Sequence, residues 1–142
     1  MEQYVADPVK SCPCGTGKPY AACCGQWHHG SRHLQAPTAE ALMRSRYSAY
    51  VLDLVDYVRD TWHPDTRPPR IEPNPAGLKW LGLEVKRHVV QDERHALVEF
   101  VARSRLQGKG QRMHEVSRFV RENGVWLYVD VDGDVDGGAG KA

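Results

Sequence analysis

Two hydrophobic periodicities divide the chain, one of about 3.6 residues in its first half and one of two residues in its second half. After Pro37, apolar and aromatic side chains recur at the spacing of one helix face, as Met43, Tyr47, Tyr50, Val51 and Leu54. Thr38 is a favourable N-cap, and Glu40 in the first turn complements the helix dipole. The pattern therefore predicts a helix that begins at Thr38.

A second, shorter helix is predicted directly after the first. Asp53 is placed to cap it, and its apolar face would consist of Leu54, Val58 and Trp62. Pro64 would end it, since proline lacks a backbone donor and clashes with the preceding turn. The proline-rich stretch 64–75 is then expected to be a stiff, extended connector within the same domain.

From Leu78 onward the period of two is typical of strands separated by turns. The apolar face of the first predicted strand consists of Leu81, Leu83, Val85 and Val89. That of the second consists of Ala96, Val98, Phe100 and Ala102. Residues 111–122 form the third strand, after a turn at Gly108–Gly110. Asn123-Gly124 is a strong hairpin signal before a fourth strand that runs to Val131. Helices followed by a four-stranded antiparallel meander give an α+β domain.

All four cysteines lie in one short stretch, at positions 12, 14, 23 and 24. Four thiolates this close suit a soft, tetrahedral metal ion, and zinc is the first choice for a closed structural site. Gly15 and Gly17 allow the chain to fold sharply back below the metal. We therefore predict a zinc site formed by Cys12, Cys14, Cys23 and Cys24, with His28 or His29 as an alternative to Cys24. Two disulfides and a redox dithiol are the other interpretations of this cluster.

Composition limits the classes of function that the chain can have. Its 142 residues, 41% of them hydrophobic, suffice for one domain with a core and a small appendage. No apolar run approaches the roughly 20 residues of a membrane helix, and no signal peptide is visible, so we expect a cytoplasmic protein without membrane contact. A net charge of +1 argues against a strong electrostatic grip on nucleic acid.

These observations predict three segments: 1–33 as a zinc knuckle with its flanks, 34–132 as the α+β domain, and 133–142 as a flexible tail rich in Gly and Asp. Positive charge concentrates on the second and third strands, on Arg103, Arg105, Lys109, Arg112, Arg118 and Arg121. Aromatic residues for base stacking are absent among these positions, so sequence-specific nucleic-acid binding is not expected. A weak contact with ribosomal RNA stays open.

The cysteine stretch resembles the SEC-C motif, a zinc-binding element found at the C-terminus of the SecA translocation motor and in several unrelated bacterial proteins. In that motif Cys-x-Cys is followed after eight residues by Cys-Cys or Cys-His, which matches Cys12, Cys14, Cys23 and Cys24. Much of the remaining chain resembles the YchJ-like (UPF0225) family through the pieces 42–50, 61–64 and 114–119. The resemblance implies an NTF2-like (cystatin-like) fold, with helices packed into the concave side of a curved four-stranded antiparallel sheet.

The third strand carries polar residues on both faces, which is expected where one face lines a wet cavity. NTF2-like domains commonly have such a cavity between helices and sheet. The resemblance thus makes these residues the pocket candidates: Trp62, His63, His114, Glu115, Ser117 and Arg118. In the alternative interpretation, these polar residues simply pair with charges on neighbouring strands. A regular strand would place Glu115 and Ser117 on one face and His114 and Arg118 on the other.

Two functions of different classes fit these features. The first is a binding or adaptor module that docks a protein partner or the ribosome through its zinc knuckle, with a link to protein synthesis, export or folding implied by the motif in SecA. The second is an enzyme or small-molecule-binding protein that uses the cavity, with His114, Glu115 or His63 as acid–base groups. An enclosed pocket with His114 and Glu115 inside would favour the second.

Overall fold

A computed structural model describes residues 9–134 and shows short helices packed on one four-stranded antiparallel sheet. The elements are 3-10 turns at Tyr20–Ala22 and Gly30–Arg32, the helices α1 (Gly25–His28), α2 (Ala39–Val51) and α3 (Val55–Asp60), and the strands β1 (Lys79–Val90), β2 (His95–Leu106), β3 (Lys109–Glu122) and β4 (Val125–Asp134). Strand order follows the chain, β1-β2-β3-β4. The predicted α+β class is confirmed, and the remainder of the predicted tail, from residue 135, lies outside the described residues.

The first predicted helix is confirmed at its start, whereas the second differs from the prediction. The Thr38 side chain accepts a hydrogen bond from the Ala41 N–H at 3.0 Å, as an N-cap does. Asp53 does not cap α3: it has a φ of 60°, and its carboxylate accepts from the backbone N–H of Asn74. Helix α3 ends at Asp60, so Trp62 follows the helix instead of lying on its face.

Strand β1 corrects a predicted face. The pairing of β1 with β2 shifts register between Trp80 and Gly82 and again between Val85 and Arg87. Each shift inserts an extra residue and so reverses which side chains point inward. As a result Leu81, predicted to be inside, is 49% exposed, and Trp80 packs against the core in its place.

Two tight turns connect the last three strands. Asn123 and Gly124 have φ values of 53° and 79°, the left-handed pair that a two-residue hairpin requires, which confirms the prediction. Gln107 and Gly108 form an equivalent turn with φ values of 53° and 79°. This turn lies one residue before the predicted one, so β3 begins at Lys109.

Strand β3 is regular, and the irregularities in its pairing with β4 lie on the β4 side. Its register with β2 runs unbroken from Lys109 to Val120. Against β4 the register shifts twice, so that Asp132 and Val129 are the extra residues on the β4 side. Bulges bend the strand that carries them while the partner keeps its alternation. The two faces of β3 are therefore those of an undistorted strand.

The knuckle and the α+β domain share one hydrophobic core. Helix α2 lies at its centre, because both the knuckle and the sheet pack on it. The buried cluster is continuous from Cys14, Cys24 and Trp27 through Leu42, Met43 and Tyr47 to Val98, Phe100 and Phe119. Among residues 9–134, no helix is both long enough and apolar enough to cross a membrane.

Candidate metal centre and interior pocket

The fold brings the four cysteines together in a compact cluster. A short bridge between Ser11 and Pro19 closes the loop between the first two cysteines and the 3-10 turn at Tyr20–Ala22. Within this loop Gly15 and Gly17 have φ values of 89° and 85°, a conformation that other residues rarely adopt. The four Sγ atoms consequently lie within 4.8 Å of one another.

This spacing fits a tetrahedral metal ion. A zinc site with zinc–sulfur bonds of about 2.3 Å places its sulfurs about 3.8 Å apart. The Sγ atoms of Cys14 and Cys23 are 3.6 Å apart. Two hydroxyls contact the cluster from outside, Ser48 at 3.5 Å from Cys12 and Thr16 at 3.2 Å from Cys23. The donor set and its dimensions therefore suit a soft divalent ion held by four thiolates.

The electrostatics of the cluster also call for a cation. The thiols of Cys14 and Cys24 donate hydrogen bonds that lower the pKa of Cys12 far below its usual value. The same interaction raises the pKa of Cys14 to about 11, and that of Cys24 rises as well. Without a cation, the cluster thus stabilises one thiolate and disfavours deprotonation of further cysteines. A bound cation is what would hold all four as thiolates.

The two histidines considered as alternative ligands lie outside the cluster. His28 Nε2 is 2.8 Å from the carbonyl oxygen of Ser45, which can only accept. Nε2 therefore donates, and Nδ1 accepts from the Tyr20 hydroxyl at 2.6 Å. His29 contacts the same hydroxyl at 3.2 Å. His28 links the knuckle to α2, and its burial lowers its pKa to about 4.

Arg44 joins the knuckle to the same helix. Its Nη1 donates to the carbonyl oxygen of Cys14 at 2.9 Å, and its Nε pairs with Glu40 at 3.0 Å. Nearby, the Ser45 hydroxyl bonds both Tyr57 and the carbonyl of Leu42. These paired polar groups fix the cysteine cluster against α2, where Cys14 and Cys24 are at most 1% exposed and Cys23 is half-buried.

On the other side of α2 lies a pocket of about 440 Å³, between the helix and the sheet. This volume falls in the lower part of the range usual for small-molecule sites. Its wall is largely aromatic and apolar. The lining residues that the structure assigns from the helices and sheet include Met43, Tyr47, Tyr50, Trp62, Trp80, Phe100, Met113 and Tyr128.

Arg46 is the buried cation of this wall. It is 4% exposed, and its Nη1 donates to the carbonyl oxygen of Val58 at 2.9 Å and to the Thr61 hydroxyl at 2.8 Å. Its guanidinium also lies over the rings of Trp62 and Tyr128, with centroid distances of 5.2 and 4.6 Å. Within residues 9–134 it forms no ion pair, and burial lowers its pKa. The group stays protonated all the same.

Three of the predicted pocket residues line the cavity. Trp62, Glu115 and Ser117 are among its walls, and the last two are buried on the same face of β3. This is the placement expected for residues two apart on a regular strand. Trp62 enters from the segment after α3, where its backbone bridges to Tyr128 of β4.

The other three predicted residues lie elsewhere, which corrects that part of the prediction. His114 Nε2 is 2.8 Å from a carboxylate oxygen of Glu99, and Arg118 forms a two-pronged pair with Asp130; both are on the opposite face of β3. The physical reason is the strand alternation, which no bulge on β3 reverses. His63 instead bonds Glu122 at 3.0 Å, at the far end of the hairpin.

Several wall residues were not predicted as site residues from the sequence. Arg46 lies three residues after Met43 and four before Tyr50, so a charge on the apolar face of α2 was the available signal. Asn74 gives no such signal. It reaches the rim because its side-chain amide donates to the carbonyl oxygen of Tyr50 at 2.6 Å, which holds the 72–75 segment over the pocket.

Two indole N–H groups of this wall, those of Trp62 and Trp80, are buried and have no hydrogen-bond partner in the part of the chain that the structure describes. Buried donors are nearly always paired in proteins, so an unpaired one marks either strain or a missing partner. Trp80 contacts the rings of Tyr47 and Tyr50 at 5.6 and 6.0 Å. The pocket wall is therefore aromatic and rich in donors.

Comparison with protein-family models gives two matches that together span most of the described chain. Residues 38–131 match the model described as the middle NTF2-like domain of YchJ. Residues 10–26 match the SEC-C motif and include all four cysteines. The second match ends before α2, and the first begins at the cap of that helix.

Similar proteins agree with these matches. A UPF0225 protein of Bordetella bronchiseptica is 57% identical over 132 residues, covering 93% of this chain and 98% of its own. A solution structure of a SEC-C motif protein from Rhodopseudomonas palustris has a TM-score of 0.73 at 33% identity, covering 87% of this chain and 98% of its own. A crystal structure of a SEC-C motif protein from Psychrobacter arcticus has a TM-score of 0.69 at 31% identity, covering 90% and 86%.

Proposed function

Since the chain belongs to the UPF0225 family of YchJ-like proteins, with a SEC-C motif ahead of an NTF2-like domain, we propose that it binds a small organic molecule in its interior pocket. The pocket is the observation that carries the proposal. It combines about 440 Å³ of space with aromatic walls and a few convergent polar groups, Arg46, Glu115 and Ser117. This combination is the usual composition of a ligand site.

Binding has more support than acid–base catalysis. The sequence-based hypothesis of an enzyme used His114, Glu115 or His63 as acid–base groups. Glu115 lines the cavity, whereas His114 lies on the opposite face of β3, paired with Glu99, and His63 pairs with Glu122. Among residues 9–134, no histidine lines the cavity. The polar groups inside would therefore orient a ligand, with no histidine present to exchange protons with it.

In this proposal the metal has a structural role, and zinc is the ion we expect. The four cysteines would hold it, and what it supplies is a closed cross-link that fixes the knuckle against α2. Elemental analysis of purified protein should give one zinc per chain. Metal-free protein with two disulfides by mass spectrometry would contradict this assignment.

The experiment uses 2-naphthol as a neutral aromatic probe of the pocket. The protein has four tryptophans, and their indole N–H resonances report separately by NMR. We expect the signals of Trp62 and Trp80 to shift on titration and those of Trp27 and Trp126, which do not line the pocket, to stay in place. Ala102→Leu fills the cavity and should abolish the shift. Ala21→Leu, the same change at an exposed position, should not.

An adaptor role of the knuckle remains a second proposal. Residues 15–19 form an exposed outer loop, beside a groove of about 300 Å³ that Lys18, Trp27 and Arg44 help to line. A protein or ribosomal partner would meet this face. Co-sedimentation with purified ribosomes tests whether the protein binds ribosomes. Lys18→Glu should weaken this binding, whereas Lys109→Glu, at the hairpin between β2 and β3, should not. Equal sedimentation of both variants would contradict this role.

We also propose that the protein works in the cytoplasm. The argument rests on its chemistry, because four thiols held for a metal persist in a reducing compartment and tend to oxidise outside it. Fractionation of cells that express the full chain, followed by detection of the protein in each fraction, tests this location.

A further inference from the structure

The wall of the pocket contains a positive charge that forms no ion pair within residues 9–134. Arg46 is almost completely buried, and its partners are a carbonyl oxygen, the hydroxyls of Thr61 and Tyr50, and two aromatic rings. Burying a charge is unfavourable unless an opposite charge or strong acceptors accompany it. Arg46 thus favours any ligand that brings a negative group into the cavity.

The remainder of the wall selects for shape and electron-rich atoms. Trp80, Tyr47 and Tyr50 meet at tilted or edge-to-face angles, which leaves flat surfaces for a planar ligand. The unpaired indole donors of Trp62 and Trp80 belong to the same wall. After small side-chain adjustments, these N–H groups would donate hydrogen bonds to acceptor atoms of a ligand.

Glu115 also lines the pocket. It comes from β3, whereas Arg46 comes from α2. A carboxylate suits Arg46, and a hydroxyl or amine that donates a hydrogen bond suits the carboxylate of Glu115, which can accept several hydrogen bonds at once. A ligand with both groups would match both side chains.

From these features we infer that the pocket takes a small planar carboxylic acid that also carries a hydrogen-bond donor, with its carboxylate bound by the guanidinium of Arg46. The inference rests on the proposed function and specifies the ligand class for the same site. Arg46 suits this role because its planar fork can bind a carboxylate through two parallel hydrogen bonds. Its Nη1 is already used to hold α3, so Nε and Nη2 are the atoms that would bind the ligand.

The test compares two probes of nearly the same shape, of which only one carries a negative charge. The first is 6-hydroxy-2-naphthoate and the second is its amide, 6-hydroxy-2-naphthamide, which has the same ring, hydroxyl and nearly the same size. Both are titrated into the full chain loaded with zinc, with the indole resonances of Trp62 and Trp80 as the readout. We expect the acid to bind at least tenfold more tightly than the amide at pH 7.

Variants then locate the charge that causes the preference. Arg46→Lys keeps a cation but loses the planar fork, and it should reduce the tenfold preference to a small factor; Arg46→Met should remove it. Arg103→Met makes the same change in net charge at an exposed position of β2 and should leave the preference intact. Because Arg46 also supports α3, each variant is first compared with the wild type by its amide spectrum.

The outcomes separate the two levels of the proposal. If the amide binds as tightly as the acid, the inferred ligand class is wrong while the binding function stands. If neither probe nor 2-naphthol shifts the Trp62 and Trp80 signals, the binding function itself fails. The comparison of acid with amide on the wild-type protein decides the ligand class even if both Arg46 variants fail to fold.

Discussion

Helix α2 separates two regions that differ in how completely their polar groups are satisfied. On the knuckle side, Ser45, His28 and Arg44 are all paired, and three of the four cysteines are buried. On the pocket side, Arg46 has no counter-ion and the indole N–H groups of the wall have no acceptor, within residues 9–134. The polar groups on one side of α2 are therefore paired, whereas two on the other side lack a partner within the described residues.

The difference bears on how this small domain can remain stable with a cavity in its interior. Below about 150 residues a core has little stability to spare, so an open cavity on one side needs compensation elsewhere. A metal cross-link on the opposite side of the same helix can supply it. In the proposed function, the knuckle would support the pocket by holding α2 in place, without contact between metal and ligand.

Removal of the metal is expected to have the largest effect. Chelation should destabilise the protein by on the order of 5 kcal/mol or more, because a structural zinc site is coupled to folding. Since His28 and Cys12 contact α2 directly, amide protection should fall in residues 11–33 and in α2, with the sheet retained. Hydrogen exchange measures this, and adding zinc back is the control.

Two outcomes would contradict this expectation. Loss of protection confined to residues 11–25 would show that the knuckle is only tethered to α2. Full retention of the spectrum after chelation would show that the cysteines do not hold a structural metal.

A pair of small-to-large substitutions should distinguish the closed region from the open one. A Cβ at Gly25 would lie 2.8 Å from the backbone oxygen of Tyr20, so Gly25→Ala should cost about 2–3 kcal/mol. Ala102→Leu adds more volume but extends into the pocket, and its effect should stay within about 1 kcal/mol. Urea denaturation with zinc present measures both. Equal costs would mean that the pocket side is as tightly packed as the knuckle side.

The pH dependence of stability should report on His28. Burial lowers its pKa from 6.5 to about 4, so between these values the unfolded chain binds a proton that the folded protein does not. Stability is therefore lost as pH falls below about 6.5, by about 2 kcal/mol between pH 7 and pH 5. Unfolding in urea with excess zinc at both pH values measures the loss.

His28→Gln is the matched variant, since an amide side chain does not titrate in this range. It should be less stable than the wild type at pH 7 and lose about 2 kcal/mol less on acidification. An identical pH dependence in both proteins would show that His28 is not held neutral against α2.

The smallest effect is expected outside both regions. His114→Gln replaces the imidazole that contacts Glu99 on the outer face of β3, and it should cost about 1 kcal/mol or less. Titration with the naphthoate probe should give the wild-type affinity, because the side chain does not line the pocket. A large loss of affinity would return His114 to the site and reopen the acid–base interpretation.

Local signals in the sequence were interpreted correctly where the neighbouring residues decide the outcome. The Thr38 cap and the Asn123-Gly124 turn depend on a few consecutive residues, and both were predicted. Asp53 failed as a predicted cap because its carboxylate bonds Asn74, 21 residues away. Leu81 failed because a register shift against β2 turned its strand over, and no pattern within β1 announces that shift.

The features of the candidate site also differ in whether local sequence predicts them. The four-cysteine cluster was predictable because its spacing is local, and the opposite faces of Glu115 and His114 were predictable from strand alternation. The pocket shared by Arg46, Trp80 and the 72–75 segment was not predictable, since these come from a helix, a strand and a loop far apart in sequence. A cavity is a volume that packing leaves unfilled, and packing is settled among distant residues.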